Sequence, residues 1–306
     1  MWNRGIAAFD RVFEVLNAPV DIADLEDAQP LPKPDGPRGH IALRNVDFSY
    51  VPDTPTLRNI NMDIPAGSKV AIVGKTGSGK TTVARLMCRL WDPDRGTVEI
   101  DGVPFTKLSL RETRSEIGVV PQDPFLFSMS IGDNVRFGLD ALEDDPSLRR
   151  AVPTTSLFSD AVVSQETRID EALEIAGMAG ELSSFSAGLE TLVGERGVTL
   201  SGGQKQRVTI ARALVMDPRI LILDDALASV DTQTETAILD HLDRIMSGRT
   251  SVIITHRFNA LARVDKIFVM DEGQVVEVGT HDELLRAGGI YAELCERQKL
   301  QEELEA

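Results

Sequence analysis

The stretch Lys69–Val73, followed by Gly74-Lys75-Thr76-Gly77-Ser78-Gly79-Lys80-Thr81, constrains this chain more than any other. A buried strand should lead into a glycine-rich turn of pattern G-x-x-x-x-G-K-[ST]. A helix should then run from about Gly79 to Leu90, stopped by Asp92-Pro93. Glycines allow such a loop to fold into a nest of backbone N–H donors, and the helix N-terminus adds its positive end, so the loop suits phosphate groups. Lys80 should reach the β- and γ-phosphates of a nucleotide, and the Thr81 hydroxyl should ligate magnesium. Thr82, next on the helix, joins the cofactor-binding set. The alternative is a strand–helix turn with no ligand, but it does not require all eight positions to match.

The second half of such a site lies far downstream. Ile220-Leu221-Ile222-Leu223 is fully apolar and ends in Asp224-Asp225. Carboxylates at the C-terminal end of a buried parallel strand sit where open α/β sheets bind ligands. Asp224 is the natural magnesium-side carboxylate of a P-loop nucleotidase, and Asp225 could face the attacking water.

With 306 residues, 42% of them hydrophobic, the chain can bury a sizeable core. Its net charge of −16 argues against nucleic acid as a partner, since affinity for that backbone comes mainly from Lys and Arg. Two distant cysteines, Cys88 and Cys295, suggest neither a disulfide framework nor a zinc site, and point to a reducing cytosol. No apolar run approaches the roughly 20 residues that span a bilayer, and no secretory signal is visible.

Residues 5–16 read as an amphipathic helix ended by Asn17 and Pro19, and 18–38 as a proline-rich linker. Strand alternation follows at Val46, Phe48 and Tyr50 and at Ile60, Met62 and Ile64, with a bulge expected at Arg44–Asn45. Helical segments dominate 124–200, as though inserted into an α/β core. That core resumes with a helix from about Gln204 to Met216, strands at Ile220–Leu223 and Ser251–Thr255, and a hairpin of Lys266–Met270 and Gln274–Val278 around Asp271-Glu272-Gly273. Residues 289–306 read as a charged helix. Trp91 and Cys88 read as packing residues.

Leu200-Ser201-Gly202-Gly203-Gln204, placed before the Ile220–Asp224 strand and combined with the phosphate loop, resembles the signature of ABC-family ATPases over nearly the whole chain. The resemblance implies a P-loop NTPase core of α/β class with an antiparallel β subdomain and an inserted helical subdomain. Tyr50 resembles the aromatic residue that stacks on adenine. Gln122, in Val119-Val120-Pro121-Gln122, resembles the glutamine that senses magnesium and the membrane partner. Ser229-Val230-Asp231 resembles the loop that communicates across the dimer, and His256 the switch histidine at the γ-phosphate. Ser201, Gly202, Gly203 and Gln204 open a predicted helix and so form an anion site. In the family, this signature covers the ATP held by the partner's phosphate loop, so two ATP molecules are sandwiched with magnesium between paired domains.

Thr191–Gly197 and the N-terminal segment from Trp2 to Leu16 resemble exporters, although Leu192 stands where an acidic residue is frequent. They imply a half-transporter piece at the cytoplasmic face of the cell's inner membrane, soluble as a fragment, with 39–290 as the ATPase domain between the segments 1–38 and 291–306. Its partners would be a second ATPase domain and the membrane domain's coupling helices. The family usually has Glu where this chain has Asp225, one methylene shorter. A misplacement of about 1 Å can cost on the order of 100-fold in rate. An intact signature beside a shortened catalytic residue suggests the degenerate half of a heterodimeric exporter; a homodimer with a competent Asp225 is the alternative. A soluble ABC ATPase and a non-catalytic ATP-binding regulator are the competing classes. Residues 139–169 exceed the usual family length and read as a surface insertion or a partner contact.

Overall fold

The computed structural model describes residues 13, 17, 22–32, 38–143, 164–194, 199–226, 246, 248–255, 261 and 263–305. The expected helix at 5–16, apart from Phe13, lies outside these residues, as do Ser229, Asp231, His256 and the centre of the 139–169 insertion.

Two sheets organise the described residues. Strands β1 (Ile41–Phe48), β2 (Leu57–Ile64), β4 (Arg95–Ile100) and β5 (Val103–Pro104) form an antiparallel sheet in the order β2-β1-β4-β5. The larger sheet has the order β10-β9-β3-β8-β7-β6. It is built from β3 (Lys69–Gly74), β6 (Ile117–Val120), β7 (Ile220–Asp224), β8 (Thr250–Ile254), β9 (Lys266–Asp271) and β10 (Gln274–Gly279). Its pairings are parallel except for the β9–β10 hairpin.

Side-chain patterning accounts for the difference between the sheets. In β7 and β8 every residue is buried, as befits strands covered on both faces, whereas β2 alternates buried and exposed residues. The bulge expected at Arg44–Asn45 is present: the β1–β2 register shifts between Leu43 and Val46, and Asn45 has φ 49°. Asn reaches this left-handed region at little cost. The β9–β10 turn places Glu272 (φ 42°) and Gly273 (φ 77°) in the same region, as a two-residue hairpin demands.

Helix α1 (Lys80–Met87) follows β3, and α2 (Leu110–Ser115) precedes β6. Between β6 and β7 lie α3 (Ile131–Glu143), α4 (Gln165–Ile175), α5 (Ala179–Leu182) and α6 (Gly202–Leu214). Helix α6 packs on α3 and α4 and supplies Val208, Ala211 and Leu214 to their shared core. A second core joins the antiparallel sheet to α1 and the parallel sheet, and a third seats α7 (His281–Ala287) and α8 (Ile290–Glu305) on β3 and β9. Cys88 is buried in the second core and Cys295 in the third.

The segment 22–32 is strapped onto this body. Asp24 Oδ1 accepts from the Leu110 N–H (2.6 Å), Gln29 bridges Lys107 and Ser109, and Leu31 N–H donates to Glu112 Oε2 (2.7 Å). The buried Arg89 donates to the Ala23 carbonyl (3.2 Å).

Candidate functional site

The turn after β3 wraps around its own lysine. Lys80 Nζ donates to the carbonyls of Gly74 and Lys75, each at 2.9 Å. Gly79, with φ 101°, caps α1. Burial pulls the Lys80 ammonium below its ordinary value, opposed by the charges of Asp225 and Asp224. The Ser78 hydroxyl is buried and has no hydrogen-bond partner among the described residues. A loop holding an unsatisfied hydroxyl and a buried cation in its hollow fits an anionic ligand.

Strand β7 ends beside this loop. The Thr81 hydroxyl donates to Asp224 Oδ1 at 3.2 Å. Burial pushes the Asp224 carboxyl above the usual range and the Asp225 charge adds to it, while the Thr81 hydrogen bond, Arg85 and Lys80 oppose the shift. A hydroxyl and a carboxylate oxygen, the latter in a buried and partly anionic environment, are the hard donors that suit magnesium. Asp225 follows in left-handed conformation (φ 46°), its N–H donating to the Ile254 carbonyl at 2.8 Å. That bond extends the β7–β8 ladder by one step and fixes the direction of the Asp225 backbone.

Tyr50 lies just beyond β1 and is partly exposed. Its hydroxyl donates to Thr82 Oγ1 (3.4 Å) and accepts from Arg85 Nη1 (3.1 Å), both on α1. Phe48 and Trp91 pack edge-on and tilted around the ring, with centroids 4.8–6.0 Å apart. Phe48, from the second core, thus anchors an aromatic cluster against α1, while Trp91, expected as a packing residue, is exposed and meets only the edges of this cluster. Arg85 had not been singled out from the sequence; its position three residues after Thr82, on the same helix face, was the available signal.

Gln122 is exposed, two residues beyond β6, at the same C-terminal end of the sheet as Asp224 on the adjacent β7. The structure therefore brings together Gly74–Thr82, Asp224, Asp225 and Tyr50, and places Gln122 on their rim. Ser201–Gln204 stand apart at the start of α6. Ser201 Oγ accepts from Gln204 N–H (3.2 Å), and Gln204 Oε1 accepts from Ser201 N–H (2.9 Å), a reciprocal capping box. Among the described residues their side-chain hydrogen bonds lead to Glu181 and not to the phosphate loop.

A strand, phosphate loop and helix, with a carboxylate at the end of a nearby parallel strand, define a P-loop ATPase. The ABC transporter family profile matches residues 57–228, and the chain belongs to that family as an ATP-binding, ATP-hydrolysing domain. It is 43% identical to the mitochondrial potassium channel ATP-binding subunit of Xenopus tropicalis, covering 99% of this chain and 41% of that protein. It is 40% identical to a Bacillus subtilis protein named "Probable multidrug resistance ABC transporter ATP-binding/permease protein", covering 97% and 47% respectively. Among solved structures, a bacterial Atm1-family ABC exporter with ATP bound superposes with a TM-score of 0.83 at 36% identity, over 97% of this chain and 48% of that one. The chain thus spans less than half the length of these relatives.

Proposed function

We propose that this chain is the ATP-driven motor of an ABC exporter and that it works by closing on a second ATPase domain with ATP and magnesium between them. The observation that carries this reading is the Thr81–Asp224 pair, 3.2 Å apart beside a lysine-filled phosphate loop. The names of the relatives, which include a multidrug resistance transporter and an exporter, support the transport role.

In this reading Lys80 and the loop N–H groups hold the phosphates, and Tyr50 stacks on the base. Thr81 and Asp224, with Gln122 at the rim, hold the magnesium ion. Bound there, the ion supplies charge neutralisation on the phosphate oxygens. Asp225 orients the attacking water, assisted by His256. Ser201, Gly202, Gly203 and Asp231 act on the partner's nucleotide. The domain spans 39–290, with 1–38 leading to a membrane domain and 291–306 forming a charged helix beyond it.

The membrane partner has a fitting surface beside Gln122. Phe125 and Phe137 are exposed, and Phe127 packs between them. Arg212 and the buried Asn134 fix this loop through the Phe125 and Phe127 backbones. An ordered, exposed aromatic patch suits a docking helix. Among the described residues no helix is long and apolar enough to cross a membrane. The membrane domain would lie elsewhere, with this chain at its cytoplasmic face.

We further infer that this is the weaker half of a heterodimer. Asp225 is one methylene shorter than Glu, and its backbone is pinned to Ile254, so the main chain cannot advance the carboxylate toward the nucleotide. Sedimentation of Asp225→Asn with magnesium and ATP tests the closure. ATP-dependent pairing, abolished by Ser201→Arg, is expected; nucleotide binding without any pairing, alone or with a second ABC ATPase domain, would favour a regulatory ATP-binding subunit instead.

A further inference from the structure

Glu181, on the single turn α5, places both carboxylate oxygens on the signature helix. Oε2 accepts from Gln204 Nε2 at 2.8 Å, and Oε1 accepts from Arg207 Nη2. Arg207 is nine-tenths buried, whereas Glu181 remains partly open to solvent. Nothing in the sequence pattern singled out this glutamate.

A side-chain amide has a donor end and an acceptor end, and a carboxylate only accepts. With Glu181 beside it, the Gln204 amide must present its NH2 to the carboxylate. Its carbonyl oxygen is then left facing the Ser201 N–H, where it accepts at 2.9 Å. In the opposite orientation two oxygens would meet at Glu181 and two N–H groups would meet at Ser201. Arg207 holds the carboxylate in place from the next turn of α6. The capping box that shapes the first turn of α6, and with it the direction of the Gly202 and Gly203 N–H groups, is thus set by a residue 20 positions upstream of Ser201.

We propose that Glu181 is a positioning residue for the signature: by fixing the Gln204 amide it holds the start of α6 in its anion-binding shape. The functional consequence rests on the reading of Ser201–Gly203 as the partner-facing phosphate site. The positioning itself can be judged in the isolated chain.

The test is a charge-relocating pair. Glu181→Gln replaces one of the two acceptor oxygens by a donor, so its single carbonyl can no longer serve both Gln204 and the charged Arg207. Gln204→Glu alone sets two carboxylates against each other. Together, Glu181→Gln with Gln204→Glu restore one donor and one acceptor, keep a Ser–Glu capping box and leave one carboxylate near Arg207. Amide hydrogen exchange at Ser201, Gln204 and Lys205 is read beside that at Lys75–Thr82. A hydrogen bond to a charged group is worth about tenfold in such an equilibrium. Each single substitution should therefore speed exchange at the start of α6 by about tenfold and leave the phosphate loop unchanged, and the double substitution should return it to the wild-type rate. Unchanged exchange in Glu181→Gln overturns the proposal. So does loosening that spreads to the phosphate loop and persists in the double variant, because Glu181 would then merely support the fold. ATP-dependent pairing is measured on the same proteins. If wild type fails to pair, the closure reading falls while the exchange data still judge Glu181.

Discussion

The tightest contact in the phosphate loop makes a quantitative prediction. Gly74 pairs with Met270 in the β3–β9 ladder, and its φ is 151°. A methyl group there would lie 2.1 Å from the Met270 carbonyl oxygen and 2.8 Å from Ser78 Oγ. Ordinary contact needs about 3.5 Å, so β9 or the loop must move by more than about 1 Å. Gly77 is the control. Its φ of 82° is equally unwelcoming to a side chain, yet nothing lies within 4 Å of an added methyl. Gly77→Ala should cost only the left-handed backbone penalty of about 1–2 kcal/mol. Gly74→Ala adds overpacking against a backbone that cannot rotate away, for a total of about 3–4 kcal/mol. At about 2–4 °C per kcal/mol, the melting midpoint should fall by about 10 °C, against about 4 °C for Gly77→Ala. Displacing the cradle should also weaken ATP binding. Thermal unfolding followed by circular dichroism and titration with a fluorescent ATP analogue read both effects. Equal destabilisation by the two substitutions would show that the loop does not pack against β9 as described.

Asp224→Asn should abolish magnesium-dependent hydrolysis while stabilising the nucleotide-free chain, because it removes a buried carboxylate crowded by Asp225. Since the folded-state value of Asp224 is raised, its contribution to stability is fully present below the ordinary carboxylate value and is lost as pH rises through the raised one. The stability gap in favour of Asn should therefore widen from acidic toward neutral pH in denaturant melts. Tyr50→Ala should weaken ATP binding by about 1–3 kcal/mol through lost stacking, while Tyr50→Phe loses only the hydroxyl contacts to Arg85 and Thr82; calorimetry separates the two. Burial pushes the Cys88 thiol up to about 12 and the Cys295 thiol to about 11, so an aromatic disulfide reagent at neutral pH should label neither until the chain unfolds.

Much of this architecture was legible because periodicity and turn chemistry are local. The apolar runs Val70–Val73 and Ile220–Leu223 announced the buried strands β3 and β7, and Glu272-Gly273 announced a hairpin. The glycines of 74–79 announced the phosphate loop. Two helices were passed over despite readable start signals: Ser109 with Glu112, and Thr280 with Glu283, both cap the helices that follow them. Strands β4, β5 and β6 are not read from the sequence either, since each is short and its pairing, with β1, β4 and β7 respectively, defines it. In the site, residues within one motif could be named from the sequence, but contacts between motifs could not. The Arg85–Tyr50 tether, the pinned Asp225 backbone and the Glu181–Gln204 contact span 23 to 35 positions or depend on strand order, which no local pattern encodes.

Hydrolysis of ATP with magnesium by the wild-type chain and by Asp225→Glu, at high protein concentration, decides whether Asp225 limits turnover. The account predicts slow turnover by wild type and a gain of about 10- to 100-fold in the variant, as the longer side chain recovers roughly 1 Å of reach. A stability loss of about 1 kcal/mol should accompany it, since Glu tolerates the left-handed backbone at this position less well than Asp. Rapid turnover by wild type, little changed by the substitution, would contradict the weakened-site reading and make a competent homodimeric motor the correct account.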